Sequence, residues 1–219
     1  MNSNSAVAAD SAARVNRKQI LSLFGLVPLA LYVVLHLWTN MKSLESPEVF
    51  DAALFANHNS PFFLFLEVFG LGVPLLAHTW LGLFEIARAR PNNAAYPLFN
   101  NLKFLLQRIS AVGVLLFLGA HVVKARLQPA IACINPPRCA ETWAGMHEAF
   151  HEPLTLTVYV LGLLGISYHL ANGLYTASMR WGVVVSDAGR RRALMLSAVC
   201  FVVLLVMSFS SLWGFYREI

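Results

Sequence analysis

The stretch at residues 194–215, LMLSAVCFVVLLVMSFSSLWGF, decides the class of this protein, because it contains no Asp, Glu, Lys or Arg. The hydrocarbon core of a bilayer is crossed by about 20 apolar residues of α-helix, so this stretch is long enough to span it. Four further apolar stretches of similar length precede it. The sequence therefore predicts an all-α integral membrane protein with five transmembrane helices, at about residues 19–39, 62–87, 105–128, 153–178 and 192–215.

The composition of the whole chain agrees with this interpretation. The 219 residues are 58% hydrophobic and 12% charged, and the mean hydropathy is +0.61, which is outside the range of soluble proteins. Little chain is left for a soluble catalytic domain or a nucleotide site, so we expect residues 1–219 to form one membrane domain whose enzyme activity needs partner subunits. The polar start is not followed by a small-residue cleavage site, so the first apolar stretch is interpreted as a retained helix.

The net charge of +5 is explained by membrane topology without a nucleic acid. If the N-terminus is cytoplasmic, eleven of the 16 Lys and Arg residues fall on the cytoplasmic side. They are Arg14, Arg17, Lys18, Arg88, Arg90, Lys103, Arg108, Arg180, Arg190, Arg191 and Arg192. The positive-inside rule therefore predicts an N-terminus inside and a C-terminus outside.

The predicted outer loops contain two cysteines and three histidines. Cys133 and Cys139 lie on the oxidising side, where a disulfide and two free thiols are both open alternatives. Cys200 is expected to be a small buried hydrophobe in the fifth span. No CxxCH motif for covalent haem attachment is present. Three histidines are expected to be solvated loop residues: His58, His147 and His151.

Each of the first four predicted spans contains one histidine: His36, His78, His121 and His169. Ionisable side chains are costly within a membrane and need a reason to be there. A single histidine would be explained equally well as a neutral imidazole bonded to a neighbouring helix. One histidine in each of four consecutive helices points instead to a shared ligand.

The four histidines fall at two depths. The histidines of the first and third spans both lie 18 residues after the basic residue that begins their helix, Lys18 or Lys103. This spacing places both histidines ~27 Å from the inner face of the membrane. The histidines of the second and fourth spans lie 10 and 11 residues before the basic residue that ends their helix, Arg88 or Arg180. This spacing places both histidines ~15 Å from the inner face. The sequence therefore predicts an outer pair and an inner pair.

Two histidine pairs on alternate helices favour two stacked b haems within a four-helix bundle formed by spans one to four. Each porphyrin iron takes one imidazole on each side. We expect His36 and His121 to bind the outer haem, and His78 and His169 to bind the inner one. Zinc is the competing metal, but it prefers four ligands around one point, which two levels ~12 Å apart do not provide.

Small residues lie on the histidine faces of the helices. Gly25 and Ser110 precede the histidines of their spans by eleven residues, which is close to three helical turns, so both are expected at the inner level. Gly162 and Gly165 are expected at the outer level. Room for a porphyrin is one interpretation of these residues, and ordinary small-residue helix packing is the other.

Two charged residues are candidates for further roles. Glu67 precedes the histidine of its span by eleven residues, so we expect it near the outer haem, either in proton transfer at a quinone site or as a paired structural acid. Arg108, at the inner start of the third span, is expected to contact a haem propionate or to anchor the helix at the lipid headgroups.

Four segments carry a family resemblance: LFGLVPLALYVVLHL (23–37), LEVFGLGVPLLAHTWLGLF (66–84), LQRISAVGVLLFLGAHV (106–122) and YHLANGLYTASMRWGV (168–183). They closely resemble the haem-binding helices of the single-subunit dihaem cytochrome b anchors of succinate:menaquinone and quinol:fumarate reductases. The resemblance covers nearly the whole chain and is strongest with the Bacillus-type succinate dehydrogenase anchor.

The resemblance implies a subunit without succinate chemistry of its own, in the bacterial inner membrane. Its partners would be an iron-sulfur subunit and a flavoprotein subunit with FAD, docked on the inner face, and dimerisation of the complex is open. Electrons would pass through the clusters to the inner haem at His78 and His169, then to the outer haem at His36 and His121. Menaquinone would be reduced there, and Glu67 matches a glutamate of the Bacillus-type pattern.

Several alternatives remain at the level of the sequence. Some fumarate reductase anchors have a glutamate two residues before the fourth-span ligand, where this chain has Ser167, so succinate oxidation is favoured over fumarate reduction. A haem b anchor of another respiratory dehydrogenase, such as a hydrogenase or formate dehydrogenase, would share the histidine pattern without these four segments. A haem-free scaffold or transporter would use the histidines for packing or proton relay.

Overall fold

The computed structural model describes residues 15–89, 98–129 and 142–218, and within these ranges all regular structure is helical. Five helices are long and apolar enough to cross a membrane. In chain order these spans are Val15–Leu44, Phe63–Ala87, Asn101–Leu127, Pro153–Arg180 and Asp187–Tyr216. The prediction of five spans is confirmed, and each helix begins or ends within a few residues of its predicted bounds.

Two shorter helices occupy segments that the sequence analysis assigned to loops. They are Pro47–His58, between the first and second spans, and Trp143–Phe150, between the third and fourth. The Ser46 and Thr142 side chains accept backbone N–H groups of the first turns, which is the usual N-cap arrangement. The loop interpretation was therefore wrong for these segments, although Ser followed by Pro is a helix-start signal.

The first four spans form a ring in chain order. The first span contacts the second and the fourth, and the third lies between the second and the fourth. The first and third spans are therefore diagonal to each other, as are the second and fourth. The fifth span packs outside this ring, against the fourth span and the first.

The successive spans alternate in direction, which gives the bundle two ends. The first span begins at the end that we name the amino end, and the fifth span finishes at the opposite end, named the carboxyl end. Both short helices lie at the carboxyl end, where a cluster of buried side chains joins them to the spans. Its members are Phe50, Phe117, Trp143, Met146, Phe150, Tyr159 and Phe215.

Most of the surface of the spans is apolar. Leu76 and Trp80 on the second span are 72% and 74% exposed, and Leu116 and Leu196 are each 70% exposed. So much exposed apolar surface would be a liability in water, whereas in a bilayer it faces lipid. The protein is therefore a multi-pass membrane protein.

Some predictions concern features that the structure does not address. Cys133 and Cys139 lie outside the described residues, and the cytoplasmic placement of the N-terminus stays a prediction. Cys200 is a free cysteine in the fifth span. It is only partly buried, which differs from the expected burial because the fifth span packs outside the ring.

Candidate functional site

The first diagonal of the bundle brings together His36 and His121. Their ring centroids are 5.7 Å apart. The second diagonal brings together His78 and His169, with ring centroids 6.1 Å apart. The four histidines thus meet in the two pairs that their depths indicated.

Both separations suit a metal ion between two opposed rings. Imidazole nitrogens bind metals at about 2 Å, so one ion held between two rings sets their centroids roughly 6 Å apart. A haem iron bound by two histidines would need a similar spacing. The rings of each pair are therefore far enough apart to hold one iron between them.

Hydrogen bonds at Nδ1 orient two of these rings. Nδ1–H of His78 donates to the carbonyl oxygen of Leu21 at 2.9 Å. Because a carbonyl only accepts, the proton is on Nδ1 and the Nε2 lone pair is free for a metal. The hydroxyl oxygen of Tyr159 lies 3.1 Å from Nδ1 of His121 and provides that ring with the same kind of acceptor.

A polar cluster surrounds His169 within the bundle. Ser110 Oγ lies 3.4 Å from its Nδ1, and the Gln107 amide nitrogen lies 3.2 Å from the same atom. That amide also donates to the His169 carbonyl at 3.1 Å, and its oxygen accepts from Asn172 at 2.6 Å. The amide nitrogen has only hydrogens to offer, so its contact favours a lone pair on Nδ1 of His169, whereas the hydroxyl of Ser110 accommodates either tautomer.

The ring of His36 is positioned by aromatic stacking. The Tyr32 ring lies one helical turn earlier and is stacked on it, with 5.4 Å between centroids and 16° between planes. The Asn40 side chain donates to the His36 carbonyl at 2.7 Å. Both contacts are within the first span, so this ring is oriented by its own helix.

Contacts between spans also define how far apart the two pairs lie. Ser110 contacts the inner histidine His169 and precedes His121 by eleven residues, which is ~16 Å along an α-helix. This separation of the two histidine pairs replaces the ~12 Å inferred from the basic residues. A direct contact between two spans defines the relative depth of their residues more closely than the charges at the helix ends do.

The glycines at these levels have different roles. A Cβ on Gly25 would lie 2.6 Å from Cε1 of His78, so this glycine permits the inner histidine to approach the first span. Gly162 accommodates the ring of Phe117, which fills the space that a side chain would need. Gly165 has only an ordinary contact with Val114, at 3.6 Å. Close packing thus explains Gly25 and Gly162 directly.

Glu67 is part of an ion pair near the carboxyl end. Its carboxylate accepts from Nε of Arg126 at 2.7 Å and from Nη2 at 3.1 Å. The two side chains are 27% and 37% exposed, so the pair is only partly covered by protein. Arg126 was not predicted as a partner, although a basic residue five positions after His121 was a visible signal.

Arg108 lies toward the amino end, folded back on its own helix. Nη1 donates to the Phe104 carbonyl at 2.9 Å, and the guanidinium carbon lies 3.3 Å from the centroid of the Phe104 ring. Its Nε is buried and has no hydrogen-bond partner within the described structure. Nearby, Glu85 pairs with Arg17 at 2.7 Å. An unpartnered buried donor suits an anionic group such as a haem propionate.

The remaining histidines lie in or at the ends of the short helices. His58 ends the helix Pro47–His58, His147 lies within Trp143–Phe150, and His151 follows it. His58 and His147 are helical and only partly exposed, so the expectation of solvated loop residues was wrong for both.

The residues present fit two bis-histidine haems. The rings of each diagonal pair are spaced so that one iron would fit between them, and Nδ1–H of His78 is held by a carbonyl. The donor set is imidazole alone, which suits an iron bound by two histidines.

Comparisons with known proteins agree with this geometry. The chain is similar to the succinate dehydrogenase cytochrome b558 subunit of Bacillus subtilis (strain 168), with 26% identity over 199 residues, which is 90% of this chain and 95% of that protein. Residues 91–208, just over half of the chain, match the family model of the succinate dehydrogenase/fumarate reductase transmembrane subunit. The chain therefore belongs to the succinate dehydrogenase/fumarate reductase transmembrane subunit family.

Proposed function

We propose that this chain is the membrane anchor and cytochrome b subunit of a bacterial succinate dehydrogenase. In this proposal His36 and His121 bind one b haem, and His78 and His169 bind a second. The two haems, when bound, supply one-electron carriers between an iron-sulfur subunit and menaquinone. The chain itself has no part in succinate oxidation, which belongs to a flavoprotein subunit.

The pairing of histidines across both diagonals carries this proposal. Centroid separations of 5.7 and 6.1 Å are those of two imidazoles around one ion. Packing alone would not require each histidine to face a second one on the diagonal helix. A relative that is named a cytochrome b558 subunit supports the same interpretation.

Other side chains have roles that follow from their contacts. The Leu21 carbonyl and the Tyr159 hydroxyl contact Nδ1 of His78 and His121, so Nε2 of each ring would be free to bind a haem iron. Arg108 has a buried Nε free for a propionate. The proton-transfer role is assigned to Glu67, whose carboxylate is held by Arg126 and stays partly exposed.

The charge distribution supports an orientation in the bacterial inner membrane. Basic residues gather at the amino end of the bundle, where Arg17 and Lys18 flank Glu85 and Arg180 donates to the Lys18 carbonyl. The positive-inside rule places this end in the cytoplasm. The iron-sulfur and flavoprotein subunits would then dock at the amino end, and menaquinone would bind toward the carboxyl end.

Purification of the complex through a tag on this chain tests the proposal. A pyridine haemochrome assay should give two b haems per chain, and succinate should reduce them. Absence of a b-type band would support a haem-free scaffold and overturn the proposal. Two haems with nickel or molybdenum in the partner subunits would instead identify an anchor of another dehydrogenase. If menaquinol drives fumarate reduction much faster than succinate is oxidised, the physiological direction is reversed.

A further inference from the structure

We propose that His147, His151 and Glu218 form a binding site for a divalent transition-metal ion of the zinc class at the carboxyl end of the bundle. Each residue offers one ligand atom, and these three atoms all lie within 4.8 Å of one another. The site is separate from the four histidines of the bundle interior. It does not depend on the proposed electron-transfer function.

Both imidazoles are oriented as metal ligands. Nδ1–H of His147 donates to the carbonyl oxygen of Phe215 at 2.8 Å, and Nδ1–H of His151 donates to the His147 carbonyl at 2.9 Å. Because carbonyls only accept, both Nδ1 atoms carry a proton and both Nε2 atoms are left to bind. A backbone carbonyl at the second ring nitrogen is a usual outer partner of metal-bound histidine.

The contact between His151 and Glu218 suits a bound metal ion. Nε2 of His151 lies 3.5 Å from Oε1 of Glu218. In the neutral ring with its proton on Nδ1, this places a lone pair opposite a carboxylate oxygen, and two acceptors repel each other. A metal ion bound to both atoms relieves this repulsion. The imidazole of His147 lies beside this pair and would give the metal ion a third ligand.

The spacing fits tetrahedral coordination. Ligands about 2.0 to 2.2 Å from zinc lie roughly 3.3 to 3.5 Å from one another, and the nitrogen–oxygen distance of His151 and Glu218 is already 3.5 Å. The other separations are at most 4.8 Å, so they close by about 1.5 Å or less. The Glu218 side chain is 87% exposed, which leaves its carboxylate free to adjust to an ion. Water would complete the coordination, as in zinc sites with three protein ligands.

Aromatic rings hold both imidazoles in place. The Trp143 ring stacks on His147 with centroids 4.7 Å apart, and the Tyr216 ring stacks on His151 at 5.0 Å. Trp143 also donates from Nε1 to the Gly214 carbonyl at 3.2 Å. The metal would therefore fasten the short helix Trp143–Phe150 to the end of the fifth span, with little ordering left to occur on binding.

Zinc titration of the purified, chelator-treated complex tests the site, with a chromophoric chelator as competitor. Wild-type complex should bind one more zinc per copy of this chain than the His147→Gln/His151→Gln double variant. Each single substitution and Glu218→Gln should weaken that zinc by at least about tenfold. Zinc K-edge X-ray absorption should show two imidazoles in wild type. Zinc should also raise the Tm of this chain in wild type and leave that of the double variant unchanged.

His58→Gln is the matched control. His58 also ends a short helix at the carboxyl end, and its Nδ1 donates to the carbonyl four residues earlier, at 2.9 Å. It is not part of the described group of three ligands. Zinc binding should survive this change. Equal zinc content in wild type and the double variant overturns the proposal, and so does a wild-type spectrum without imidazole ligands. If His147→Gln impairs folding, the loss of zinc affinity in Glu218→Gln still tests the site.

Discussion

Replacement of Gly25 by Ala is expected to remove the haem of the inner histidine pair and leave the other haem in place. The added Cβ would lie 2.6 Å from Cε1 of His78, whereas ordinary contacts are 3.4 to 4 Å. The ring must therefore move by about 1 Å, which stretches its 2.9 Å hydrogen bond to Leu21 beyond the usual limit of about 3.2 Å.

The expected cost follows from these two effects. Loss of the hydrogen bond removes about 1 kcal/mol, and overpacking of a close contact costs about 1 to 3 kcal/mol. The combined cost of about 2 to 4 kcal/mol corresponds to a roughly 30- to 1000-fold weaker affinity for this haem. The other pair, His36 and His121, has no contact with Gly25 among those described and should be unaffected.

Haem content measured by pyridine haemochrome, with a redox titration of the α band, tests this prediction. The Gly25→Ala complex should contain close to one haem per chain, and the missing component should be the one that His78→Ala also removes. Gly113→Ala is the control, because nothing lies within 4 Å of its added Cβ. Two haems with unchanged potentials in Gly25→Ala would refute the close-approach reasoning.

Two further substitutions examine the carboxyl end of the bundle. Tyr159→Phe removes the hydroxyl that contacts Nδ1 of His121, which lowers the basicity of that imidazole. The reduction potential of its haem should therefore rise by up to about 60 mV, a tenfold change for one electron. A redox titration that shows no rise contradicts the role of Tyr159 as an acceptor. Glu67→Gln should lower the rate of menaquinone reduction while both haems remain bound, because the amide cannot exchange a proton. An unchanged rate would show that the ion pair of Glu67 with Arg126 is structural.

Much of the fold was predictable because its signals are local. Five uninterrupted apolar stretches define five spans, and the 3.6-residue period with a rise of 1.5 Å per residue sets the depth of each histidine. Gly25 and Ser110 were placed at the inner level by the same reasoning, and they do contact His78 and His169. Helical geometry alone is enough to convert the residue numbers of these side chains into depths along the helices.

The contacts around the histidines were not predictable in the same way. The contacts of Tyr159 with His121, Gln107 with His169 and Arg126 with Glu67 each join two spans. Such contacts depend on how each helix is rotated and which helices are neighbours, and the sequence period fixes neither. The short helix Trp143–Phe150 was missed for a different reason: its eight residues are too few for a clear period, and its contacts with the fifth span stabilise it.

The assignment of histidines to haems is tested most directly by measuring which haem each of four alanine substitutions removes. Redox titration of the α band in His36→Ala, His121→Ala, His78→Ala and His169→Ala gives the answer in one experiment. We predict that the first two variants lose the same haem and that the last two lose the other. Loss of one and the same haem in His36→Ala and His78→Ala would contradict the diagonal pairing.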